Sequence, residues 1–307
     1  DLNAALAANL EGKDVFIRML EQYGKAEVMF YLDRLRQHAT DKIRKVLSGI
    51  ADGKYQAEEF LDDGTRIKVS ITINGDNIAF DFTGSDGVHP KNMNATPAIV
   101  SSVVIYVMRL LVDEDIPLND GLMDPVKIIL PESFLNPPFD KEPEDCPAVV
   151  GGNVEVSQRL TDTLLKALGM SACSQGTMNN ILFGNDTFGY YETICGGTGA
   201  TQGHHGVSAV HQHMTNTRIT DAEVLEHRFP VHLRRFEIRK GSGGTGKFKG
   251  GDGTIREYTF LDDVELSILS QHRKRQPYGM EGGESGETGN QWIIRKDGTR
   301  EELEGVD

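Results

Sequence analysis

At 307 residues the chain can bury a sizeable core, as one large domain or two ordinary ones. Its formal net charge of −14 argues against nucleic acid or anionic membrane as a partner, because phosphate binding needs clustered Lys and Arg. No apolar run reaches the roughly 18–20 residues of a membrane helix, no signal-peptide pattern is visible, and Cys146, Cys173 and Cys195 lack CxxC spacing. The expectation is a cytoplasmic protein with reduced thiols and no disulfide framework.

From Leu2 to about Ile50 the pattern is helical. Phe16, Met19, Leu20 and Tyr23 recur at three- and four-residue spacing, as do Val28, Tyr31, Leu32 and Leu35, with Gly24 separating two helices. Alternation then predicts strands over Tyr55–Leu61, Ile67–Ile73 and Ile78–Phe82, joined by Asp-Gly and Asn-Gly turns into an antiparallel meander. Ala98–Val112 reads as a mostly buried helix and Val126–Leu130 as a buried strand. The Pro-rich stretch from Leu135 to Pro147 marks a domain boundary, giving domains 1–145 and 146–307. Val154–Leu168 is an amphipathic helix with Val156, Leu160, Leu164 and Leu168 on one face and Asn153 as N-cap. After Gly169 the chain is Gly-rich and irregular, and strands return at Arg234–Arg239, Ile255–Phe260 and Val264–Leu269. The fold class is therefore α+β: N-terminal helices, an antiparallel meander and a helix, then a Gly-rich, β-dominated C-terminal part.

Between Pro147 and Thr220 amide and imidazole side chains accumulate among Gly and apolar residues. Such groups cost free energy when buried unless each finds a partner, so a segment that collects them is where a ligand is expected. Gln175, Asn179 and Asn180 in SQGTMNN offer uncharged donors and acceptors suited to a small lactam or imide. An amide-rich turn is the competing explanation. Asn153, Glu155 and Gln158 open a helix whose N-terminal N–H groups can receive an anion or polarised carbonyl. Asn153 as a plain cap and Glu155 as a charge favourable to the dipole explain the same residues.

Glu192 lies in YYETICGG. A carboxylate after aromatics in a buried strand gains basicity unless paired, which suits a general base, and a salt bridge to Arg218 or Arg159 is the alternative. Glu155 and His213 are the next catalytic candidates. Arg218, with Asn216 beside it in TNTRIT, could hold a substrate carboxylate. HxH spacing at His211 and His213 puts both imidazoles on one face if the segment is a strand, which makes them candidates for a metal. Asn153, Gln175, Asn179, Asn180, Glu192, His213 and Arg218 are expected to converge on one concave site. Cys195 reads as a small buried hydrophobe. GSGGTGK at 241–247 nearly spells a phosphate-binding loop, but Phe248 replaces the hydroxyl residue and no helix follows, so its glycines are read as tight turns.

AVVGGNVEVSQRLTD, SQGTMNN, GYYETICGG, VHQHMTNTRIT and LRRFEIRKGSGGTGKFKGGDG together resemble the hydantoinase B/oxoprolinase family along the whole chain. The resemblance implies a B-type half of an ATP-dependent cyclic-amide hydrolase, opening 5-oxoproline or a hydantoin. It also implies a hydantoinase A-like subunit or domain that binds ATP, so ATP is expected on that half and not on this chain. An oligomer is expected, and any divalent metal is expected to be held mostly by sequence nearer the N-terminus in related proteins. An ATP-dependent ketone carboxylase subunit and a non-catalytic assembly module are the alternatives. Because the chain opens at Asp1 in helical sequence and ends at Asp307 in loop, while the family's proteins are longer at both ends, a fragment inactive by itself is expected.

Overall fold

The computed structural model describes residues 2–112, 114–139 and 142–305, so Asp1 and Asp307 lie outside the described residues. Gly24, at φ 82°, divides helix α1 (Leu2–Tyr23) from α2 (Lys25–Leu47), a conformation that costs a residue with a Cβ. Strands β1 (Gly53–Phe60), β2 (Arg66–Asn74) and β3 (Asn77–Asp81) form the expected meander. Strand β4 (Val126–Ile129) adds to β3, making a four-stranded sheet in the order β1-β2-β3-β4. As an edge strand β4 is half-exposed, with Lys127 outward, and is not the buried strand its composition suggested. Between β3 and β4 runs α3 (Pro97–Leu111), with Pro at its first position and Thr96 Oγ1 accepting from the Ile99 N–H. No helix among the described residues is long and apolar enough to cross a membrane.

The chain packs as two compact units. One comprises Asp1–Asp52, Ile73–Ile78 and Met108–Lys127, and the other Gly53–Thr72, Ala79–Val107 and Ile128–Asp307. The loop-rich boundary at 145/146 falls inside the second. In the first unit, α2 holds the short turn Asp120–Met123. Thr40 Oγ1 lies 3.0 Å from the Gly121 carbonyl and 2.8 Å from Asp124, and Arg36 pairs with Asp124 at 2.5 Å. Helix α1 has the predicted apolar stripe, but none of its described residues is buried.

In the second unit, α4 (Ser157–Ala167) is preceded by a π-turn at Gly152–Val156. Asn153 therefore sits inside the helical run, exposed and without a capping hydrogen bond, contrary to the sequence expectation. Strands β5 (Asn180–Asn185) and β6 (Phe188–Thr193) form a hairpin, with helix α5 (Ala222–Arg228), capped by Asp221, beyond it. Strands β7 (Val231–Arg239), β8 (Gly253–Phe260) and β9 (Glu265–Leu269) follow. β9 joins the hairpin in the order β6-β5-β9, while β7 pairs with β8. A last pair, β10 (Trp292–Ile294) and β11 (Arg300–Glu302), was not foreseen. Ile181, Phe183, Tyr190, Leu225 and Val231 form the core beneath the hairpin, with Phe183 and Tyr190 rings 4.8 Å apart.

Residues 240–252 connect β7 to β8 without starting a helix, and the Gly243 N–H donates to Asp252 Oδ1 at 2.8 Å. The glycines allow strand-like contacts with the segment after β6: Gly251 N–H reaches the Thr198 carbonyl at 2.9 Å and Gly206 N–H the Lys249 carbonyl at 2.8 Å. A Cβ on Gly197 would lie 1.9 Å from the Gly251 carbonyl oxygen, which is backbone and cannot swing away. Gly197→Ala is expected to lower stability by about 1–3 kcal/mol in urea unfolding. A change below about 0.5 kcal/mol would show that the two loops are free to separate.

Candidate active site

Glu155, Gln158, Arg159 and Asp162 recur at i, i+3, i+4 and i+7 from the π-turn into α4, so they share one helical face. All four are fully buried, as are Val156, Leu160 and Leu164 on the apolar face. The helix is thus enclosed all round and is not amphipathic toward solvent. Its polar face is matched by loops. Asp162 accepts from the Ser174 N–H at 3.1 Å and the Ser174 hydroxyl at 2.9 Å, and His213 Nε2 stands 3.5 Å away. Burial opposes its charge, yet the hydrogen bonds from His213 and Ser174 hold Asp162 below the usual carboxylate range. Gln158 Nε2 donates to Thr215 Oγ1 at 2.5 Å and to the Gln212 carbonyl at 3.3 Å, and Gln158 Oε1 accepts from the Met214 N–H at 3.4 Å. This one amide fixes the path of residues 212–215.

Arg159 is less well served. His272 Nδ1 lies 2.7 Å from the Arg275 carbonyl and 3.2 Å from Arg159. A proton on Nδ1 serves the carbonyl and leaves Arg159 no acceptor there, and Arg159 Nε and Nη2 have none among the described residues. Burial, reinforced by this guanidinium, pushes the His272 pKa well below the ordinary imidazole value. Glu155 Oε1 accepts from Asn180 Nδ2 at 2.7 Å and from the Met178 N–H at 3.2 Å, while Oε2 has no partner among the described residues. Burial raises the Glu155 pKa to about 8 against the pull of Thr177, Met178, Arg273 and Arg159. The expected stabilisation of its charge by a helix N-terminus is corrected: desolvation dominates.

Glu192 ends β6 in a closed cage. Arg256 Nε donates to it at 2.6 Å and Arg256 Nη2 at 3.0 Å, the Tyr190 hydroxyl donates at 2.6 Å, and the Tyr258 hydroxyl also donates. The ion pair weighed for Glu192 exists, with Arg256 in place of Arg218 or Arg159, and both side chains are almost fully buried. Sequence reading missed Arg256. It lies in β8 opposite Phe236, where an Arg in an alternating strand reads as solvent-facing.

An open cleft of about 660 Å³ lies beside this cage, lined by Cys195 and residues 209–211 and 215–219, with Phe236 as an apolar wall. Phe236 is backed by Arg256, whose guanidinium lies 4.7 Å from the ring centroid. Of the sequence candidates, His211, Asn216 and Arg218 line the cleft. Arg218 has no carboxylate partner among the described residues. Both His211 ring nitrogens are buried and without hydrogen-bond partners there. Burial lowers the His211 pKa against an opposing pull from Glu192, so the ring is neutral at pH 7. Burial raises the Cys195 pKa, which fits the hydrophobe reading and leaves no thiolate.

The other candidates do not share this lining. Asn153 is exposed. Gln175 donates to the Thr177 carbonyl at 2.5 Å. Asn179, at φ 51°, bridges the Ile194 carbonyl and Arg273. Asn180 joins Glu155, the Leu269 carbonyl and the Tyr191 hydroxyl. His213, at φ 52°, turns away from His211 and accepts or donates at Nδ1 with the Tyr106 hydroxyl, 3.1 Å off. The expected convergence on one concave site is thus resolved into a cleft, a carboxylate cage and a buried network behind α4. The HxH segment is loop, so the two imidazoles do not share a face. No group of three or more His, Cys, Asp or Glu among the described residues is placed to hold a metal ion. These residues do not fit a metal centre.

The α+β fold of this chain is shared with solved structures. The structure superposes on an ATP-dependent caprolactamase from Pseudomonas jessenii with a TM-score of 0.84 at 24% identity, covering 100% of this chain and 57% of that one. The chain belongs to the hydantoinase B/oxoprolinase family, whose sequence profile matches residues 1–306. It is 44% identical to 5-oxoprolinase 1 of Arabidopsis thaliana over 317 residues, covering 98% of this chain and 25% of that protein. It is 41% identical to 5-oxoprolinase of Saccharomyces cerevisiae over 324 residues, covering 97% and 25%. The chain therefore spans about a quarter of the length of these relatives.

Proposed function

We propose that this chain is part of the B-type half of an ATP-dependent cyclic-amide hydrolase that opens the ring of 5-oxoproline to give glutamate, working with an A-type half that binds ATP. The observation that carries this reading is the cleft. Its polar lining is hydroxyl and amide groups, a neutral imidazole and one Arg without a carboxylate partner, which suits a small lactam bearing a carboxylate. ATP answers a chemical need: an unstrained five-membered lactam is a poor electrophile, and phosphorylating its oxygen activates the ring carbon. Similarity to the named 5-oxoprolinases supports the choice of lactam.

The test is reconstitution of the whole protein with its ATP-binding half. ADP and glutamate are expected to form together and only when 5-oxoproline is present, and this chain alone is expected to bind no ATP in calorimetric titration. ATP turnover that answers to a ketone and bicarbonate but not to the lactam would overturn the reading. So would lactam hydrolysis by this chain without a partner.

A further inference from the structure

Resting on the cyclic-amide reading, we propose that His211 is the proton-transfer residue of the cleft. Of the side chains that line it, Thr215, Asn216, Thr217 and Arg218 cannot take up a proton near neutral pH, and the Cys195 thiol holds its own. Among these lining groups His211 carries the one lone pair basic enough to take up a proton near neutral pH. Its two nitrogens are buried yet unbonded, a state that costs about 1–3 kcal/mol for each such atom unless water or a ligand supplies the partner. The imidazole is thus held ready for something the cleft receives.

The groups facing it from the neighbouring elements define its electrostatics. Glu192 on β6 favours the imidazolium, with Arg256 on β8 neutralising part of that carboxylate, while Cys195 and Arg218 stand on the cleft wall. Glu192 cannot itself serve the cleft, because both its oxygens are taken by Arg256, Tyr190 and Tyr258. It acts on the reaction through His211, as a positioning charge.

The chemistry balances with a lactam already phosphorylated on oxygen and with water. His211 takes one proton from water as the water oxygen bonds to the ring carbon. The imidazolium gives that proton to the ring nitrogen. As the C–N bond breaks, the proton left on the added oxygen passes through the same imidazole to the nitrogen while that oxygen becomes the carbonyl, leaving a primary amine and an acyl phosphate. A second water then releases phosphate.

His211→Asn in the whole enzyme tests the proposal. Because the ring makes no hydrogen bond within the described residues, the variant is expected to fold with a Tm no lower than that of the wild type, and His211→Gln provides a second check of folding. Glutamate formation is expected to fall about 10²–10⁴-fold. Lactam-dependent ADP formation should persist, so that ADP exceeds glutamate severalfold. The acid limb of the wild-type kcat/KM profile should vanish. Coupled turnover at the wild-type rate with that limb intact would overturn the assignment of His211 alone. Absence of lactam-dependent ADP from the wild type would instead overturn the cyclic-amide reading beneath it.

Discussion

Glu192→Gln is expected to lower the stability of the chain by about 3–5 kcal/mol, read from denaturant midpoints at constant m. The carboxylate sits at the centre of four donors, two from Arg256 and one each from Tyr190 and Tyr258. Replacing it with an amide removes the counter-charge of a guanidinium whose side chain is 1% exposed. It also turns an N–H₂ toward groups that are themselves donors. Arg256 Nη1 already lacks a partner among the described residues, so little is available to absorb the freed charge. Glu192 is the most base-like residue in the polar block when the sequence is read alone. A general base exposed to substrate would show a different pattern, with stability nearly unchanged and kcat reduced a hundredfold or more. Near-normal unfolding of Glu192→Gln would therefore return Glu192 to the catalytic role and weaken the case for His211.

What sequence could and could not show follows from the range of each interaction. Alternation in Ile67, Val69 and Ile71 reports a one-sided sheet, and β2 lies within one residue of its predicted ends at each side. Gly24 and the stripe Val156, Leu160, Leu164 are likewise local signals and are found as expected. Partners distant in sequence left no such trace. Glu192 and Arg256 are 64 residues apart, and nothing near either names the other. Amphipathic spacing over Val154–Leu168 by itself implies a polar side turned to solvent, as charged residues at helical spacing usually are. The signal against that reading was available, since Glu155, Arg159 and Asp162 combine with Gln158 on one face that continues into an amide-rich block. The separation of His211 from His213 rests on a positive φ at His213, which residue type does not announce outside Gly and, less often, Asn or Asp. The hairpin of β5 and β6 was hidden by the polar turn between Asn185 and Phe188 and by Gly184 and Gly189, which break the apolar alternation.

Glu155→Gln is expected to match the wild type in stability near pH 4.5 and to exceed it by about 4–5 kcal/mol above pH 8. The ordinary value for this carboxyl is 4.5 and burial raises it to about 8 in the fold, a gap that corresponds to that free energy. Between these values the folded chain keeps the proton that the unfolded chain has released. The unfolded state then binds fewer protons, so wild-type stability falls as pH rises, by up to about 1.4 kcal/mol per pH unit. Stability from this group is fully present below pH 4.5 and is lost once pH passes about 8. The amide does not titrate and has no such slope. It also reproduces the contacts of the protonated acid: its oxygen can accept from Asn180 and Met178, and its N–H₂ takes the place of the partnerless Oε2. Denaturant unfolding of both chains at intervals from pH 4.5 to 9 measures the difference directly. Parallel curves would mean that Arg159 and Arg273 hold Glu155 ionised throughout, and that the face of α4 carries a full ion-pair network in place of a neutral acid.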